Sequence, residues 1–201
     1  MICGIDEAGR GPLAGPVCAA AVLLPDDFPL EVLADSKKLS EKRREKAAEL
    51  IYAGAAAWGI GWASHSEIDA INILQASLLA MQRAFINLTA NKDRHLCANY
   101  TNLIDTIIVD GLYVPDLSAS LKMLPLTCSL QALVQADDKI PAVMAASILA
   151  KTARDKRMCE YAKEFPQYHY EKHKGYPTKE HREILAKYGP SPIQRLSFRA
   201  L

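Results

Sequence analysis

Ile2-Cys3-Gly4-Ile5-Asp6-Glu7-Ala8-Gly9-Arg10-Gly11 opens the chain and decides how the rest is read. Ile2 to Ile5 is a short apolar run that suits a buried strand. Asp6 and Glu7 emerge where that strand would end. Gly9, Gly11, Pro12, Gly15 and Pro16 follow, too many breakers for a helix. Neighbouring carboxylates raise each other's pKa, so placing two together is costly. A divalent cation removes that cost, because carboxylate oxygens are preferred ligands of Mg²⁺ and Mn²⁺. The plainer alternative is that Asp6 caps the turn and Glu7 is a solvated surface acid.

The same grammar recurs further along. Thr106-Ile107-Ile108-Val109 is apolar and β-branched, and it runs into Asp110 and then Gly111. Asp137 and Asp138 stand just before a long helical pattern that begins near Ile140. Three acidic positions, each at a strand end or helix start, can converge on one sheet edge. Such a cluster suits two metal ions ~3.5–4 Å apart, clamping the attacking and leaving oxygens of a phosphodiester. Taken singly, each Asp is better explained as a turn cap.

The pattern along the chain is α/β. Ile2–Ile5 and Val17–Leu24 read as the arms of a hairpin, with the Gly-rich segment between them. Ser40 is placed to cap a helix through about Ala53, with Glu41 near its positive end. Ala55–Ala63 reads as a third strand. Ser64-x-x-Glu67 has the capping-box pattern, and Ile73 to Leu88 has helical apolar spacing. Residues 91–102 read as a polar loop, Leu103–Val109 as a strand, and Leu124–Leu130 as a weak strand. Ile140 to about Phe165 is a long helix, and Thr178–Tyr188 a last one stopped by Gly189-Pro190. No repeat or linker divides the chain.

Composition narrows the class. The chain has 201 residues, half of them hydrophobic, which is enough for a sizeable core and excludes disorder. No stretch is long and apolar enough for a membrane span, and the start does not read as a signal peptide. Cys3, Cys18, Cys97, Cys128 and Cys159 are odd in number and scattered, reading as small buried groups in a reducing cytoplasm. The five histidines show no zinc-ligand spacing. Residues 1–150 carry a net −5 and residues 151–201 a net +6. The acidic part holds the candidate metal ligands, and the basic end can meet phosphates.

The stretch Gly4-Ile5-Asp6-Glu7-Ala8-Gly9-Arg10-Gly11-Pro12-Leu13-Ala14-Gly15-Pro16-Val17 closely resembles the signature of type 2 ribonuclease H, the bacterial ribonuclease HII family. The resemblance continues through Asp35-Ser36-Lys37-Lys38-Leu39-Ser40, Asn72-Ile73-Leu74-Gln75-Ala76-Ser77 and Val109-Asp110-Gly111. It then runs through Ala145-Ala146-Ser147-Ile148-Leu149-Ala150-Lys151, His173-Lys174-Gly175-Tyr176-Pro177-Thr178 and Ser197-Phe198. It implies one ribonuclease H-like catalytic domain over residues 1–201: a mixed sheet flanked by helices, with a small helical C-terminal part from about Met158. It also implies a cytoplasmic endoribonuclease acting on RNA–DNA hybrids and on DNA duplexes with embedded ribonucleotides. The products would carry 3′-hydroxyl and 5′-phosphate ends. A monomer without an obligate protein partner is expected.

By resemblance the catalytic and metal-binding acids are Asp6, Glu7, Asp110 and Asp137, holding Mg²⁺ or Mn²⁺, with Asp6 bridging two ions. The fourth position departs from the family's Lys-Gly-Asp, since this chain reads Gln135-Ala136-Asp137-Asp138. Counting back from Ala145-Ala146-Ser147 favours Asp137, with Asp138 one residue away. Gly9-Arg10-Gly11 would meet the ribose 2′-hydroxyl through its backbone, the plainer alternative being a tight hairpin turn with a surface Arg. Tyr176 would bond the same hydroxyl and stack on the next deoxyribose, its alternative being a partly buried tyrosine beside Pro177. Lys37, Lys38 and Lys151 are candidates for phosphate contacts or for plain solvation, and His173 and Lys174 could approach the DNA. Two other readings compete. One is another clustered-acid nuclease or integrase, for which the Gly9-Arg10-Gly11 and Tyr176 motifs are not expected. The other is a non-catalytic nucleic-acid-binding protein of the same fold. The sister ribonuclease HIII usually carries an extra N-terminal domain, for which this chain leaves no room.

Overall fold

The protein is described by a computed structural model covering residues 1–33, 40–90, 103–122 and 128–198. Five strands form one mixed sheet: β1 (Ile2–Ala8), β2 (Val17–Leu23), β3 (Ala57–Ala63), β4 (Thr106–Asp110) and β5 (Ser129–Leu133), in spatial order β3-β2-β1-β4-β5. The β1–β2 and β2–β3 pairs are antiparallel, whereas β1–β4 and β4–β5 are parallel. The mixed sheet agrees with the expected architecture.

Helices cover both faces. α1 is Glu41–Gly54, α2 is His65–Ala90, α3 is the short Ser118–Leu121, and α4 is Pro141–Glu164. α5 (Tyr170–His173) and α6 (Lys179–Tyr188) follow. Strand side chains alternate between faces. Cys3, Ile5, Val17, Ala19 and Ala21 therefore pack on α2 through Ala76, Ala80, Ala84 and Phe85. Ala20 and Val22 face the opposite layer, against α1 (Ala48, Ile51) and α4 (Ala145, Ala146, Leu149). α4 crosses β1 very closely, because a Cβ at Gly4 would lie 2.2 Å from the Ala142 carbonyl carbon. Glycine is required there by contact, and that contact brings α4 beside the end of β1.

Local signals account for most boundaries. The capping box is present: Glu67 accepts from the Ser64 N–H at 2.8 Å, and Ser64 Oγ accepts from the Glu67 N–H at 3.2 Å. The helix expected from Ile73 joins the one begun at His65 across a kink at Asn72, whose φ is +68°. Thr178 caps α6 by accepting from the His181 N–H at 3.2 Å. Ser40 stands at the N-cap of α1 but makes no side-chain bond to the first turn.

Three expectations are corrected. β1 extends to Ala8, so Asp6 and Glu7 belong to the strand rather than following it. β4 begins at Thr106 rather than Leu103 and takes in Asp110. The weak strand lies at Ser129–Leu133, later than Leu124–Leu130, and it is a half-exposed edge strand with little apolar patterning. The loop expected at residues 91–102 lies outside the described residues. Among those described, no helix is long and apolar enough to cross a membrane.

Candidate active site

The sheet register brings the acids together. Ile5 of β1 is level with Val109 of the parallel neighbour β4, so Asp6 and Asp110 leave adjacent strand ends side by side. Asp110 is in turn level with Leu133 at the end of β5. The chain then turns through Gln135 in the left-handed region (φ +58°) into the short 3₁₀ turn Ala136–Asp138. Asp110 Oδ1 accepts from the Ala136 N–H at 2.8 Å, fixing that turn against β4. Asp137 is buried and lines the same cleft as Asp6, Glu7 and Asp110, whereas Asp138 is exposed and is not part of the lining.

The cleft has a volume of about 440 Å³. Gly9, Arg10, Gly11, Lys151 and Tyr176 also line it, so most of the sequence-derived site meets in one place. Lys37 and Lys38 lie outside the described residues. His173 is buried, its Nε2–H donating to the Tyr168 carbonyl at 2.9 Å, and it does not reach the cleft. Lys174 is also held inward, its Nζ 3.3 Å from Glu41 and donating to the Glu171 carbonyl at 2.7 Å. Neither is placed to approach a nucleic acid in the cleft.

Burial, then repulsion from Glu7, pushes Asp6 well above the usual carboxylate range, although Ser147 of α4 and the Glu7 N–H (2.7 Å) hydrogen-bond to it. Burial also raises Glu7, against the pull of Arg10, whose Nη1 is 3.2 Å from Glu7 Oε1. Among the described residues, Glu7 Oε2 is buried with no hydrogen-bond partner. A proton shared from Asp6 would give it one. A cation would satisfy the same oxygen while removing the repulsion. The donor set is hard oxygen throughout, which fits Mg²⁺ or Mn²⁺. Among the described residues no group of three or more His, Cys, Asp or Glu is already arranged to hold an ion. Arg10 engages one Glu7 oxygen and Ala136 one of Asp110, so a cation has to compete with protein donors.

Several contributors were not legible in the sequence. Arg44 of α1 lines the cleft and pairs with Asp155 at 3.1 Å, while Lys151 pairs with the other Asp155 oxygen at 2.7 Å. One buried carboxylate thus holds two cations at the rim. Lys42-Arg43-Arg44 looks like any solvated helix face, and nothing local distinguishes Arg44. Ser147 sits inside a quoted motif but gained a role only when α4 met β1. Arg154 and Arg195 read as members of a basic C-terminal stretch, yet both are fully buried.

The 9–16 segment is not a tight hairpin. It is an eight-residue loop held by the C-terminal part of the chain, with Leu13 N–H donating to the Gly175 carbonyl (2.8 Å) and Gly15 N–H to that of Ile193 (2.9 Å). Gly9 has φ +99°, and a Cβ there would lie 2.0 Å from Arg154 Nε. A Cβ on Gly11 would lie 3.7 Å from the Tyr176 ring, an ordinary contact. Gly9 is therefore demanded by the interior, and Gly11 alone leaves open backbone toward the cleft. The Tyr176 ring is partly exposed, with Lys151 Nζ 5.5 Å and the Arg154 guanidinium 5.8 Å from its centroid.

Comparison with known proteins gives the family. The ribonuclease HII family profile matches residues 3–201. The chain is similar to a ribonuclease HII of Treponema denticola, with 54% identity over 98% of each chain. It is also similar to one of Idiomarina loihiensis, with 47% identity over 98% of this chain and 95% of that one. The crystal structure of ribonuclease H2 from Pyrococcus horikoshii OT3 superposes with a TM-score of 0.71 at 26% identity, covering 99% of this chain and 94% of the other. A match along the whole length, at such identity and on the same fold, makes this chain a member of the ribonuclease HII family, and so a ribonuclease H endonuclease.

Proposed function

We propose that the chain is a divalent-metal-dependent endonuclease that hydrolyses the RNA strand of RNA–DNA hybrids. In this reading it also nicks duplex DNA on the 5′ side of a single embedded ribonucleotide, leaving 3′-hydroxyl and 5′-phosphate ends. One observation carries the proposal: Asp6, Glu7, Asp110 and Asp137 share a single cleft with Gly9-Arg10-Gly11 and Tyr176.

Asp6, Glu7, Asp110 and Asp137 would hold Mg²⁺ or Mn²⁺. Bound there, the metal supplies Lewis-acid polarisation of the scissile phosphate and a water acidic enough to attack at neutral pH. The chain supplies the rest. Lys151 and Arg44 present positive charge to the phosphates flanking the acids. The 2′-hydroxyl is what separates RNA from DNA, and the backbone around Gly11 is open enough to meet it. The Tyr176 ring is exposed at the cleft and can lie on the adjacent sugar, which favours deoxyribose on that side. No protein nucleophile is required, and among the described residues the cleft lining holds no Ser–His or Cys–His pair. Asp137 is the fourth acid in this reading because it lines the cleft, whereas Asp138 is exposed and is not among the lining residues.

The test pairs binding with cleavage. Calorimetric titration with Mn²⁺ should show binding to the wild type that Asp6→Asn greatly weakens, and chelator should abolish cleavage of an RNA–DNA hybrid. Equal binding by both proteins, with cleavage surviving chelation, would refute metal dependence. Metal binding without cleavage of any hybrid would favour a non-catalytic binding protein.

A further inference from the structure

Two buried arginines lie behind the cleft, and the chemistry above does not use them. Arg195 reaches across the whole 9–16 loop. Its Nε donates to the Gly15 carbonyl at 2.9 Å and its Nη1 to that of Arg10 at 2.9 Å. Its Nη2 donates to Gly9 at 2.6 Å and to Pro16 at 3.2 Å. Arg154 joins the same loop to a different segment. Its Nε donates to the Pro16 carbonyl at 2.9 Å and its Nη2 to that of Ala14 at 3.2 Å. Its Nη1 donates to the Lys174 carbonyl at 3.0 Å, two residues before Tyr176, and its guanidinium backs the Tyr176 ring.

These bonds go to backbone carbonyls. A guanidinium has five donors in a rigid plane, so each arginine acts as a fixed jig for several oxygens at once. Burial pulls both below the ordinary arginine range, and for Arg195 the nearby Arg154 adds to this. Burying two such groups is expensive unless their donors are met, and the carbonyls of the loop meet them. The backbone that carries Arg195 is itself anchored. Asp69 of α2 accepts from the N–H groups of Leu196 and Ser197, each at 2.9 Å.

We propose that Arg195 and Arg154 are positioning residues that fix the spacing between the Gly9–Gly11 backbone and the Tyr176 ring, and so set the preference for a ribonucleotide–deoxyribonucleotide junction. The proposal rests on the reading that these two elements recognise the two sugars. A junction needs both at one fixed separation. A continuous hybrid has ribose on both sides and gains less from Tyr176, so it tolerates a looser spacing.

The test compares kcat and KM on a single-ribonucleotide duplex and on a continuous RNA–DNA hybrid, for wild type, Arg195→Lys and Asp69→Ala. Each protein is assayed well below its own Tm. A lysine cannot span four carbonyls. Arg195→Lys should lose at least tenfold in kcat on the junction substrate and less than threefold on the hybrid, with KM on both little changed because Lys151 and Arg44 are untouched. Asp69→Ala, at a half-buried anchor, should show the same preference change at smaller size, and it decides the question if Arg195→Lys does not fold. Equal loss on both substrates means that the arginines only hold the fold together, which overturns the proposal, as does an unchanged preference. A wild type that cuts hybrids but never the junction overturns the sugar-recognition reading itself and the proposal with it.

Discussion

Replacing Gly9 and Gly11 separately by alanine should produce opposite phenotypes. At Gly9 the backbone has φ +99°, and the new Cβ would meet Arg154 Nε at 2.0 Å. A non-glycine residue in so sparsely populated a region costs about 1–3 kcal/mol. The guanidinium cannot swing away freely, because its donors are committed to Pro16, Ala14 and Lys174. Displacing it leaves buried donors unmet at about 1–3 kcal/mol each. If one is lost, the total is roughly 2–6 kcal/mol, which for a chain of this length lowers Tm by roughly 4–24 °C. At Gly11 the new methyl would sit 3.7 Å from Tyr176 with no positive φ, so Tm should stay within about 2 °C of wild type. That methyl occupies the backbone approach to the cleft, so junction cleavage should fall at least tenfold. Differential scanning calorimetry and a cleavage assay below Tm read both quantities. Wild-type Tm for Gly9→Ala, or an equal loss of Tm for Gly11→Ala, would refute the division of labour between the two glycines.

Other substitutions test other parts of the account. Asp137→Asn should abolish cleavage while Asp138→Asn leaves it largely intact; full activity in the first, by gel assay, would sink the choice of fourth acid. Tyr176→Ala should keep Mn²⁺ binding but lose most cleavage at a single ribonucleotide, and unchanged cleavage there would remove the stacking role. His173 is buried against His181, and its Nδ1 accepts from the Gly175 N–H at 3.2 Å, so the fold needs it neutral. Burial, then His181, lowers it to about 4 from 6.5. The unfolded chain takes up the proton first as pH falls, so this contribution to stability is present above 6.5 and is lost between 6.5 and about 4. At pH 5 the loss is about 2 kcal/mol. Asp6 and Glu7, raised by burial, act in the opposite direction. The difference in urea stability between wild type and His173→Gln, followed from pH 7.5 to 5, isolates the histidine; a constant difference would show that it does not titrate this way.

Four of the five strands and three of the four candidate acids were legible because the relevant physics is local. Ile2–Ile5 and Thr106–Val109 are uninterrupted apolar runs, and each leads directly into acids that the strand takes in. The capping box at Ser64 and Glu67 was readable for the same reason. β5 was misplaced because an edge strand with half-exposed side chains has no hydrophobic period to set its register. Asp137 needed the resemblance to choose it over Asp138, and burial then separated the two. Arg44, Arg154 and Arg195 stayed hidden because a buried arginine looks like a solvated one until the carbonyls or the carboxylate it serves are in place. Apart from the Lys174 carbonyl, 20 residues from Arg154, their partners lie more than a hundred residues away in the chain. His173 and Lys174 misled in the opposite sense, since this polar pair beside Tyr176 is held inward by Tyr168, Glu41 and Glu171.

The most direct measurement is nucleotide-resolution mapping of the cut in a DNA duplex holding one ribonucleotide, with Mg²⁺ or Mn²⁺ and with chelator. The account predicts one metal-dependent nick on the 5′ side of that ribonucleotide, leaving a 3′-hydroxyl. A cut at any other position, or no cut in a preparation that still degrades a continuous hybrid, would contradict the claim that the 9–11 backbone and Tyr176 together read the junction.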